Sequence, residues 1–92
     1  MEIFAKLVER IIKEQENIIG PVALEQAQKV VGLKINWEKG EISFSGNKKD
    51  IVEKLVEKYR DLFGQASVEF CREAVKNLIA EIPKEERPPL LR

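Results

Sequence analysis

Leu33-Lys34-Ile35-Asn36-Trp37-Glu38-Lys39-Gly40-Glu41-Ile42-Ser43-Phe44-Ser45 is the stretch on which the fold class turns. Leu33, Ile35 and Trp37 alternate with Lys34, Asn36 and Glu38; Ile42 and Phe44 then alternate with Glu41, Ser43 and Ser45. A period of two sends alternate side chains to opposite faces of an extended chain. Lys39-Gly40 breaks the run and supplies a turn, so the segment predicts a β-hairpin with one apolar face. Everything outside it that has a period has a helical one.

Upstream, Ile3, Phe4, Leu7, Val8, Ile11, Ile12, Ile18 and Ile19 follow the spacing of an amphipathic helix over about Glu2 to Ile19. Glu9 and Lys13 form a favourable pair four residues apart. The apolar arc covers close to half of the helical wheel, whereas a surface helix needs a stripe of about 100°. Gly20-Pro21 separates it from a short second helix, Pro21 to Val31, with Ala23, Leu24, Ala27, Val30 and Val31 on one side. Gly32 ends that helix.

Downstream, Gly46-Asn47 closes the hairpin. Asn47 is suited to N-cap a third helix, and Asp50 to sit at its positive end. Ile51, Val52, Leu55, Val56, Tyr59, Leu62 and Phe63 form its apolar face. Gly64 stops it, and a fourth helix runs from about Gln65 to Ile82 with Val68, Cys71, Ala74, Val75, Leu78, Ile79 and Ile82 in register. The expected fold is α+β in the order α-α-β-β-α-α, one domain over residues 1–82 with four helices packed on one face of the hairpin. Residues 83–92, with three prolines and a charge cluster, predict a tail that is extended or disordered unless Leu90 and Leu91 dock.

Composition narrows the function. Sixteen basic residues balance sixteen acidic ones, which removes the basic surplus that nucleic acid or an anionic membrane would favour. Charged residues make up 35% of the chain, above the usual quarter. Lys/Glu enrichment is a pattern of proteins from hot environments. The absence of histidine removes the commonest acid-base group at neutral pH and the usual partner of a serine or cysteine nucleophile. Cys71, the one cysteine, falls in the apolar stripe of the fourth helix and reads as a buried structural thiol. One cysteine without histidine gives no standard zinc spacing, and no carboxylate run has the layout of a calcium loop. The expectation is a non-enzymatic protein with no cofactor. Met1-Glu2-Ile3-Phe4 has no signal-peptide layout and no apolar run approaches membrane-spanning length, so a cytoplasmic location is the default.

Binding is what remains. The first helix has a wider apolar arc than one neighbour needs, and a two-stranded hairpin leaves both outer edges unpaired. Both features predict self-association, with a dimer favoured and the hairpins joined into a four-stranded sheet across a two-fold axis. The expected contact surface, for a second copy or another protein partner, is Phe4, Val8, Ile11, Ile12 and Ile19 of the first helix, with Leu90 and Leu91 of the tail. The alternative is an accessory nucleic-acid- or anion-binding protein using Lys34, Lys39, Lys48 and Lys49 around the hairpin and the start of the third helix. Trp37 and Phe44 share the parity of the apolar strand face, which argues for the core over base stacking.

Overall fold

A computed structural model describes residues 1–92. Helix α1 spans Ile3–Ile19, α2 Val22–Ala27, strand β1 Leu33–Asn36, β2 Glu41–Phe44, α3 Lys48–Phe63 and α4 Gln65–Ile79; 3-10 turns follow at Lys84–Glu86 and Pro89–Leu91. The chain is α+β: four helices and one antiparallel two-stranded hairpin.

The helix ends are set by local chemistry. Glu2 caps α1, its carboxylate accepting from the Phe4 N–H at 2.7 Å and the Ala5 N–H at 3.2 Å. Asn47 caps α3 as expected, its Oδ1 accepting from the Asp50 N–H at 3.0 Å. Helix α2 stops four residues before its predicted end. Lys29 N–H bonds Gln26 O and Val30 N–H bonds Ala27 O, three-residue turns that tighten the chain toward the hairpin. That turn buries Val30 and turns Val31 outward.

In the hairpin Leu33 pairs with Phe44 and Ile35 with Ile42. Trp37 lies in the turn rather than in the strand, where its carbonyl accepts from the Gly40 N–H at 3.2 Å. The apolar parity holds: Leu33 is buried, and Ile35, Trp37, Ile42 and Phe44 are half-buried against the core. The expected layering does not hold. The helices pack chiefly on one another, and the hairpin meets them mainly where β2 touches α1. A core of Leu7, Val8, Ile11, Ile12, Leu55, Val56, Val68 and Val75 is already closed by helix against helix. Two four-residue strands offer too little apolar face to floor four helices.

The wide arc of α1 is explained within the chain, because α1 packs against α2, α3, α4 and β2. Val8, Ile11 and Ile12, expected at an interface, are fully buried inside the core. The last ten residues also join that core rather than leaving it. Pro88 and Leu91 are buried, and Leu90 is half-buried. Hydrogen bonds tie the segment down: Arg72 Nε to Leu90 O at 2.8 Å, Leu90 N–H to a Glu53 carboxylate oxygen at 2.9 Å, and Arg87 Nε to Ile82 O at 2.7 Å. The tail is a strap across α3 and α4.

Candidate interaction surfaces

With α1 filled, the exposed apolar surface lies elsewhere. Ile18, Leu62, Phe63 and Phe70 are large apolar residues between 40% and 52% exposed. Three elements bring them to one end of the bundle. Gln15 of α1 donates to the Ser67 carbonyl of α4 at 3.0 Å, so the C-terminal half of α1 lies beside the first turns of α4. Gly64 alone separates α3 from α4. Ile18 is one turn beyond Gln15, Phe70 one turn beyond Ser67, and Leu62-Phe63 close α3. Of the predicted interface residues, Phe4 and Ile19 are half-buried and pack on the core, as Leu90 does. The exposed set was missed because Ile18, Leu62 and Phe63 share faces with core residues. Phe70 carried a signal, since it stands outside the α4 stripe of Val68, Cys71, Val75 and Leu78.

A second surface is an open groove of about 430 Å³ between the end of α2 and α3. Gln26, Lys29 and Val31 form one wall; Lys54, Lys58 and Leu62 belong to the other. Val31 is 81% exposed, the most exposed large apolar residue in the chain.

The lysines named from the sequence do not gather into an anion site. Lys39 sits in the hairpin turn, at the opposite end of the strands from Lys48 and Lys49, and Lys34 lies on β1 opposite Ser43. Lys48 is 3.5 Å from the Glu2 carboxylate, and its ammonium stands 5.9 Å from the Phe44 ring centroid. Lys49 donates to the Glu85 carbonyl at 3.0 Å. The depression beside them is also lined by Glu85 and Glu86, which oppose an incoming anion.

The one polar cluster inside the bundle is closed. Tyr59 donates to the Ala23 carbonyl at 2.6 Å, joining α3 to α2. The Gln15 amide also approaches Cys71 Sγ at 3.3 Å, and its Oε1 is buried without a partner. Burial pushes the Cys71 thiol from an ordinary 9.0 up to about 11, against a smaller downward pull from the Gln15 hydrogen bond. Burial also holds the Tyr59 phenol well above its usual range, aided by nearby Cys71 and Glu16. Both groups are neutral at physiological pH, and a neutral buried thiol is a poor nucleophile. No three acidic or thiol side chains converge as a metal-holding group, and no helix is long and apolar enough to cross a membrane. Comparison with known proteins finds no match to this chain among family models, curated proteins or solved structures.

Proposed function

We propose that this chain is a small non-enzymatic interaction module that acts as a homodimer, associating through the apolar end of its helical bundle. The observation that carries this reading is the exposure of Ile18, Leu62, Phe63 and Phe70, on the helix ends that the Gln15–Ser67 hydrogen bond and the Gly64 junction bring to one end of the bundle. Exposed apolar surface is unfavourable in water, and where it gathers it marks contact sites on small proteins. A two-fold axis through that end covers the patch with its own copy, the commonest arrangement among homo-oligomers.

Light scattering coupled to size exclusion tests this directly. The wild-type chain is expected to run with a dimer mass at about 50 μM, and Phe63→Glu to run as a monomer with an unchanged helical circular dichroism spectrum. A wild-type monomer at that concentration sinks the proposal.

Edge pairing of hairpins into a four-stranded sheet is the second reading, supported by the open outer edges of β1 and β2. It predicts that Phe63→Glu stays dimeric and that amides of one strand edge exchange more slowly in the dimer than in dilute monomer.

A further inference from the structure

The groove between α2 and α3 has a charge pattern that its own chain leaves unanswered. None of Lys29, Lys54 and Lys58 has a carboxylate within ion-pairing distance. The two acids of the groove are instead held by Arg60, which lies 4.0 Å from Glu57 and 3.3 Å from Asp61. Lys54 and Lys58 stand one turn apart on α3, about 6 Å between their Cβ atoms. Beside them lie Val31 and Leu62, both exposed.

The complement of this pattern lies on α4 of the same chain. Glu69 and Glu73 are also four residues apart and exposed, and the exposed Phe70 is set between them. Glu69 pairs with Arg72 and Glu73 with Lys76, each at 2.9 Å and three residues apart on the surface. Such pairs are worth little in water and exchange readily for a partner's charge. Within one chain α4 cannot reach the groove, because its buried face is fixed against α1 and α3. A second copy can.

We infer that the Glu69-Phe70-Glu73 face of α4 docks in the α2–α3 groove of a second copy, its carboxylates on Lys54 and Lys58 and its ring on Val31 and Leu62. This rests on the homodimer reading and specifies its register. Leu62 borders both the groove and the apolar end of the bundle. About a two-fold axis each protomer offers its α4 face and receives its partner's, so the contact is made twice. Other occupants fit less well. The groove is open to solvent and would not enclose a small molecule. It has no aromatic lining on which bases could stack.

Charge exchange tests the register. Dimer affinities are measured by sedimentation for wild type, Lys54→Glu/Lys58→Glu and Glu69→Lys/Glu73→Lys, with circular dichroism to confirm folding. Each double variant alone places like charges together in both contacts and is expected to dimerise at least about tenfold more weakly. An equimolar mixture of the two restores opposite charges in both contacts, and is expected to form a heterodimer near wild-type affinity. If neither double variant weakens the dimer while Phe63→Glu still dissociates it, this register is wrong and the homodimer stands. Weakening without rescue on mixing also overturns it, and a wild-type monomer removes both readings.

Discussion

The Cys71 thiol and the Tyr59 phenol show how burial alone sets chemistry at single residues. Neither group meets a positive charge that would favour its ionised form, so both keep their protons in the folded state. The consequence for stability has a definite sign. Well below pH 9.0 the thiol is neutral in folded and unfolded chains alike, and its burial costs no ionisation energy. Above that pH the unfolded chain ionises first, so stability falls as pH rises toward about 11, the folded value. A two-unit difference corresponds to a loss on the order of 3 kcal/mol once both values are passed, and Tyr59 adds to it in the same direction at higher pH. The urea midpoint should be flat from pH 7 to about 9 and then decline, with the decline starting later in Cys71→Ala. An equally early decline in that variant would remove Cys71 as its source. Gln15 sits in the same seam with Oε1 unsatisfied. The wheel placed no polar residue at the α1–α4 contact, because periodicity marks apolar positions and passes over a polar side chain buried among them.

At the scale of elements, glycine placement decides where helix becomes hairpin. Gly32 has φ of +88°, and a Cβ there would stand 2.8 Å from the Ser45 carbonyl oxygen and 2.9 Å from Ile51 Cδ1. The close approach is part of the hairpin base, where Ser45 N–H donates to Gly32 O at 2.7 Å. Gly32→Ala therefore combines a disfavoured conformation with a backbone clash, and should cost about 2–4 kcal/mol by chemical denaturation. Gly40 has φ of +66° but open space around it, so Gly40→Ala meets strain alone and should cost about 1 kcal/mol. Equal costs would show that the Ser45 contact relaxes freely. The elements themselves were legible: the caps at Asn47 and Gly64, the alternation of Leu33 to Phe44, and the apolar faces of α3 and α4 all lie where their spacing puts them. The early end of α2 was not, because Val30 and Val31 continue its apolar pattern although only one of them can be buried by the turn that follows.

For the whole molecule, the strap of residues 83–92 is part of the packed domain. The Cα radius of gyration is 11.8 Å, against about 12 Å for a fully compact chain of this length. Deleting Pro83–Arg92 removes Pro88 and Leu91 from the core and takes away the Leu90 backbone groups that Glu53 and Arg72 bond. Loss of a buried leucine alone costs about 2–5 kcal/mol, so the truncated chain should lose at least about 3 kcal/mol by urea titration. A loss under about 1 kcal/mol would show the strap to be peripheral. The sequence by itself determined the α+β class, the parity of the hairpin and the buried side of each helix, because those depend on spacings of two to four residues. Only the tertiary structure decided which apolar surface stays uncovered. A helical period reports the side of a helix that faces inward, but not where along that side its neighbours end. The surplus read on α1 was therefore absorbed by three other helices, while Ile18, Leu62 and Phe63, with the same inward parity, emerged where the bundle stops.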